Sequence, residues 1–132
     1  VEVLEALMGS GFIPVVAPLA VDAGGGGRLL NVNADTVAGA LASALGASHL
    51  VFLTDVDGVL DEGRLLSREP VARAEALISS GIVKGGMIPK LETCLDAVAN
   101  GVGAAHILAG RLPHVLLLET FTAAGVGTMI AA

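Results

Sequence analysis

Aromatic residues are nearly missing from this chain. It has no Trp and no Tyr, and Phe12, Phe52 and Phe121 are its only three aromatics. Proteins that grip single-stranded nucleic acid stack bases on aromatic rings, and no such platform can be built here. Cations are scarce as well. Seven Lys and Arg stand against thirteen Asp and Glu, a formal charge of −6. No basic face for nucleic acid is expected. Cysteine occurs once, at Cys94. That excludes an internal disulfide framework and a cysteine metal cluster, and it fits a reducing, cytoplasmic interior. No metal ligand set stands out elsewhere. The longest uncharged run, Thr36 to Thr54, is broken by Gly39, Ser43, Gly46, Ser48 and His49. It reads as a helix followed by a buried strand rather than a membrane span. No signal peptide is visible. The chain opens on Val, inside a helical pattern, and so reads as a piece of a longer protein.

What is present is an apolar fraction of 54%, mostly Ala, Val and Leu, over 132 residues. That is about one domain with a buried core. Small aliphatic residues suit close-packed helices on a buried parallel sheet. Val1 to Met8 reads as a helix, with Gly9 and Gly11 as stop signals. Phe12 to Leu19 reads as a buried strand, with Pro14 and Pro18 marking its ends or an edge. Gly24 to Gly27 reads as a hairpin turn. Thr36 to Leu45 reads as a helix and His49 to Thr54 as a strand. Asp61 to Pro70 is a polar connection, and Val71 to Ser80 is a helix ended by Gly81. A helix follows from Ile88 to about Asn100-Gly101. Ala104 to Ala109 is a third strand, with His106 read as a satisfied core residue. Leu112 to Phe121 is a short helix, and Thr128 to Ala131 a final strand. This alternation predicts an α/β fold with a mainly parallel sheet.

Three stretches carry chemistry. In Gly85-Gly86-Met87-Ile88-Pro89-Lys90, paired glycines feed a helix whose face holds Met87, Ile88, Leu91, Leu95 and Val98. Pro89 suits a first turn. A glycine entry to a helix offers N–H groups and the positive end of the dipole to a phosphate. Lys84 and Lys90 are the only lysines, and both flank this loop. Lys90 in a first turn faces the dipole, which an intervening anion would relieve. Asn31-Val32-Asn33-Ala34-Asp35 presents three polar side chains on one side at strand spacing. Asn33 suits a helix cap and Asp35 a first turn, while Asn31 has no such role. Asp55-Val56-Asp57-Gly58-Val59-Leu60 is the turn at the carboxyl end of a buried strand, where ligands bind in open parallel sheets. Cys94 packs as a small hydrophobe.

In this order and spacing, the three stretches resemble the carboxyl-terminal half of the acetylglutamate kinases, within the amino acid kinase family. Residues 1-132 then form a single partial domain, the nucleotide-binding lobe. The resemblance implies a three-layer α/β sandwich on a mainly parallel sheet. It implies ATP-dependent phosphorylation of the N-acetyl-L-glutamate side-chain carboxylate, in arginine biosynthesis, with Mg²⁺ on the ATP. By the same resemblance Lys90 stabilises the transferring phosphoryl group and Asp35 orients the catalytic lysines. Asn31 and Asn33 face the substrate. Asp55, Val56, Asp57, Gly58, Val59, Leu60, Ile82, Val83, Lys84, Gly85 and Gly86 bind nucleotide. His114, Glu119 and Gly125 fall in the arginine site of feedback-inhibited members. A homo-oligomer is expected, with no nucleic acid and no membrane partner.

The family's other lobe carries a glycine-rich loop with a second catalytic lysine, and nothing before Gly11 supplies it. Alone, the chain is expected to bind nucleotide weakly and catalyse little. Two alternatives remain open at this stage. One is a related amino acid kinase of different substrate, and the other is a non-catalytic module that binds nucleotide or arginine. A dinucleotide-binding domain is disfavoured, because no G-x-G-x-x-G follows the first strand.

Overall fold

A computed structural model of the chain describes residues 1–24, 26–123 and 125–132. Four strands form its main sheet: β3 (His49–Thr54), β6 (Arg68–Pro70), β7 (Ala104–Ala109) and β8 (Thr128–Ala131), in the order β3-β7-β8-β6. β3 pairs with β7 and β6 with β8 in parallel, and β7 runs antiparallel to β8. The mainly parallel α/β reading holds. Two hairpins lie outside this sheet: β1 (Leu19–Val21) with β2 (Leu29–Asn31), and β4 (Leu60–Asp61) with β5 (Arg64–Leu65). The first confirms a hairpin around the glycine tract. Gly25, within that tract, lies outside the described residues, as does Ala124.

Strand alternation divides the sheet into two faces. Leu50, Phe52, Ala105, Ile107 and Ile130 point to one side and make the core with α4 (Met87–Ala99). α4 lies centrally, against β7 and β8, flanked by α2 (Ala34–Ala44) and α3 (Val71–Ser79). The opposite face carries His49, Val51, His106, Leu108 and Met129 towards α5 (Val115–Phe121). Every residue of β7 is buried, as expected for a strand covered on both sides. α1 (Glu2–Gly9) buries none of its side chains.

Two sequence readings are corrected. Phe12 to Leu19 is not a strand: regular pairing begins only at Leu19, and Phe12, Ile13 and Val15 are 64%, 91% and 96% exposed. Local propensity favours extension there, but a strand needs a partner. No strand among the described residues lies alongside, and Pro14 and Pro18 offer no N–H. Asp61 to Pro70 is not merely a connection. It holds a hairpin and then β6, whose Arg68-Glu69-Pro70 carries charge and a proline because it is an edge strand.

Cys94 is fully buried in α4, as its reading as a small hydrophobe requires. Burial pushes its thiol from 9.0 up to about 12; the Asp35 carboxylate adds to the rise and Lys90 opposes it. The folded state thus holds the proton more tightly than the unfolded chain. That contribution is complete below pH 9 and is lost as pH climbs towards about 12. Between those two values denaturant melts should lose roughly 1.4 kcal/mol per pH unit from this group. Cys94→Ala should remove this slope, whatever it costs at neutral pH.

Candidate functional site

The glycine entry to α4 is present. Gly85 takes φ +58, and Gly86 precedes Met87 without a side-chain cap. The entry keeps fewer free donors than the sequence suggests. Met87 and Ile88 donate to the Lys84 and Gly85 carbonyls, at 3.4 and 3.2 Å, and Pro89 has no N–H. Lys90, one residue on, meets an anion from within the chain: its Nζ donates to Asp35 Oδ2 at 2.6 Å. Both side chains are 26% exposed. The ammonium also stands 5.5 Å from the centre of the Phe52 ring, a cation–π distance.

These partners are far apart in sequence and meet because α2 packs closely on α4. Gly39 permits that approach: a Cβ there would lie 2.5 Å from Thr93 Cγ2. Glycine in mid-helix is locally unfavourable, so its reason here is packing. Gly39→Val should force the helices apart, loosen the Asp35–Lys90 pair and cost about 1–3 kcal/mol, read by urea denaturation.

Asn33 caps α2, its Oδ1 accepting from Thr36 N at 3.1 Å. Asp35 sits in the first turn of α2, and Asn31 ends β2, exposed. The strand alternation that would align all three breaks at Asn33, where the helix begins. The capping role therefore occupies Asn33.

The turn after β3 is built tightly. Val56 N donates to Thr54 Oγ1 at 3.0 Å, and Val59 N donates to the buried Thr128 Oγ1 at 2.8 Å. Gly58 takes φ +143, where a Cβ would meet Thr128 Oγ1 at 2.6 Å. Gly58 and Val59 are buried, while Asp55, Val56, Asp57 and Leu60 are exposed. In the segment before α4, Val83 is buried and its N–H bonds the Leu77 carbonyl; Ile82 and Lys84 are exposed.

A second site lies on the opposite face of the sheet. A cavity of about 600 Å³ is lined there by His49, His106, Arg68, Glu119, Gly125 and Met129, among others. Glu119 Oε1 meets His106 Nδ1 at 2.8 Å, and Glu119 Oε2 accepts from Val126 N at 2.8 Å. These His106 and Glu119 side chains are only 7% and 9% exposed. His106 Nε2 in turn meets His49 Nδ1 at 3.0 Å. A carboxylate can only accept, so His106 donates from Nδ1; in its neutral form it then accepts at Nε2 from His49. In that form every hydrogen bond of the Glu119–His106–His49 chain has a donor and an acceptor. A Cβ at Gly125 would stand 2.9 Å from Glu119 Oε2, so glycine keeps that carboxylate accessible from its side. His114 lies outside this lining, exposed at the entry to α5 with φ +58. The sequence marks neither His49 nor His106 as a ligand; only strand parity relates them, since both fall on the same face once β3 and β7 pair in parallel.

This fold, with a glycine-led helix and its lysine beside the carboxyl ends of parallel strands, defines a class. The amino acid kinase family profile matches residues 1–109, and the chain belongs to that family. Within the family, the chain is similar to acetylglutamate kinases. The chain is 56% identical over 133 residues to that of Acidiphilium cryptum, covering 100% of this chain and 44% of the relative. It is 51% identical over 134 residues to that of Nostoc sp., covering 98% of this chain and 44% of the relative. The chain thus spans less than half the length of these curated relatives. Among solved structures, N-acetylglutamate synthase from Neisseria gonorrhoeae, complexed with coenzyme A and L-arginine, superposes with a TM-score of 0.92 at 29% identity, over 98% of this chain and 30% of that one. Carbamate kinase from Giardia lamblia bound to AMP-PNP has a TM-score of 0.70 at 19% identity, over 98% of this chain and 43% of that one, and shows the shared fold.

Proposed function

We propose that this chain is the nucleotide-binding, carboxyl-terminal part of an acetylglutamate kinase. It would serve ATP-dependent phosphorylation of the N-acetyl-L-glutamate side-chain carboxylate, a cytoplasmic step of arginine biosynthesis. The observation that carries the reading is the Asp35–Lys90 pair at 2.6 Å, set at the glycine entry of α4. Phosphoryl transfer from ATP to a carboxylate concentrates negative charge and needs little covalent help. Positioning and electrostatic stabilisation supply most of the catalysis. Lys90 meets the moving phosphoryl group, and Asp35 fixes the ammonium in place while using only one of its three N–H donors. Asn31 is left to contact the acyl substrate. The turn Asp55–Leu60 and the segment Ile82–Gly86 hold the nucleotide. Among the described residues no group of three or more acidic, His or Cys side chains could hold a metal ion. Mg²⁺ would accompany the nucleotide's phosphates, as it does in phosphoryl transfer generally.

The cavity on the opposite face supports a regulatory reading. Glu119 and Gly125 sit together there, and the buried carboxylate suits a guanidinium, which pairs with it through two parallel hydrogen bonds. Arginine is the ligand that the family's feedback inhibition implies. The exposed run Phe12 to Val16 and the open edge of β3 support a larger assembly, in which further strands cover both and a homo-oligomer completes the enzyme. No helix of the described residues is long and apolar enough to cross a membrane.

Calorimetric titration of the chain with Mg-ATP, repeated on Lys90→Ala, tests the nucleotide reading. Saturable binding weakened by the substitution supports it; tight binding that ignores Lys90 overturns it. A chimera in which this chain replaces the matching 44% of the Acidiphilium cryptum relative tests the activity directly. Arginine binding with an inactive chimera would favour the non-catalytic module instead.

A further inference from the structure

The turn after β3 is held at three points, and they differ in kind. Its start is held by the Thr54 hydroxyl and its end by the buried Thr128 hydroxyl. Its middle is held by charge. Arg111 Nη1 and Nη2 both donate to Asp57 Oδ1, at 2.9 and 2.6 Å. The topology sets this up. β3 and β7 are parallel neighbours with Thr54 opposite Ala109, so their carboxyl ends emerge side by side. Gly110 N donates to the Thr54 carbonyl at 2.7 Å, which locks the two exits together. Arg111 is the next residue, and it reaches across to the neighbouring exit.

We propose that Arg111 is a positioning residue for nucleotide, acting through Asp57; this rests on the nucleotide reading above. The pair is 60% and 55% exposed, so it contributes little to the fold. Its effect is local. Both guanidinium nitrogens use a single oxygen of Asp57, which leaves Oδ2 as an acceptor for a hydroxyl donor such as a ribose. Without Arg111, Asp57 is an uncompensated carboxylate two residues from Asp55, in a chain already at −6. It would then repel the polyphosphate that the turn is meant to receive, and the middle of the turn would lose its only fixed point among the described residues.

The test compares wild type, Arg111→Ala, Arg111→Lys, Asp57→Ala and the double variant by calorimetry with Mg-ATP and, separately, with arginine. Arg111→Ala should weaken Mg-ATP binding roughly threefold to fivefold, the range of an exposed ion pair. It should leave arginine affinity and the melting temperature nearly unchanged, and Arg111→Lys should recover part of the loss. In the Asp57→Ala background, Arg111→Ala should have no further effect. A further loss there would mean that Arg111 touches nucleotide directly, which overturns the positioning role. Amide hydrogen exchange without ligand gives the second arm: residues 55–60 should exchange faster in Arg111→Ala, and β3 and β7 should not. Unchanged exchange in the turn overturns the proposal whether or not nucleotide binds. Failure of wild type to bind Mg-ATP counts against the nucleotide reading instead, and the exchange arm still decides the anchor.

Discussion

Lys90→Ala is expected to abolish most phosphoryl transfer in the chimeric kinase, by about 10²–10³ in kcat, the loss seen when one preorganised electrostatic donor is removed. The reasoning starts from charge. The side chain reaches 2.6 Å from Asp35 and lies over the Phe52 ring, so its position is fixed before substrate arrives. An ammonium held in this way needs no reorganisation when charge develops on the phosphoryl oxygens. Alanine removes it and leaves Asp35 facing the nucleotide unpaired, which adds repulsion to the lost attraction. Mg-ATP affinity should fall by about tenfold or more, one close charge contact at partial burial. Lys90→Arg separates the two effects. It keeps a charge beside Asp35, so binding should largely survive. The planar guanidinium cannot occupy the place of a compact ammonium, so turnover should not. Equal kcat in wild type and Lys90→Ala would remove Lys90 from the chemistry.

Glu119→Ala is the second large effect. Its carboxylate serves two groups, His106 Nδ1 and Val126 N, and both it and the imidazole are nearly buried. Truncation leaves a buried imidazole N–H and a backbone N–H without partners, each costing about 1–3 kcal/mol. A stability loss of roughly 2–6 kcal/mol follows, and arginine binding should drop beyond detection. Glu119→Gln tests the ligand separately from the fold. The amide oxygen can still accept from one partner, so much of the stability should return. The charge that a guanidinium needs should not. Urea melts and arginine titrations on both variants decide this. Arginine bound by Glu119→Ala as tightly as by wild type would place the ligand elsewhere.

The sequence carried the central strands and helices well, for local reasons. β3 and β7 are short apolar runs with turn signals at both ends, and α4 sits between Gly85-Gly86 and Asn100-Gly101. It failed where partners decide. Phe12 to Val16 has a strand's composition, but pairing is a property of two segments. β6 has the composition of a loop and becomes a strand because β8 offers it a register. The sites divide in the same way. The Asp35–Lys90 pair was legible only through resemblance, since no local pattern joins residues on two helices. The His49–His106–Glu119 chain was hidden because His106, taken alone, looks like core and His49 like the polar start of a strand. Only the parallel register of β3 and β7, with α5 folded back over them, brings the three together.

The open edge of β3 also governs how the isolated chain behaves in a tube. His49 to Thr54 carries no Lys, Glu or Asp and has strand hydrogen bonds on one side only, among the described residues. Such an edge is a template for stacking copies into aggregates, and the exposed Phe12, Ile13 and Val15 add a second apolar segment ready to pair. Pro14 and Pro18 then take on a protective meaning. Each interrupts the ladder that a second molecule would need, so they act as gatekeepers of solubility in a segment that is otherwise ready to pair.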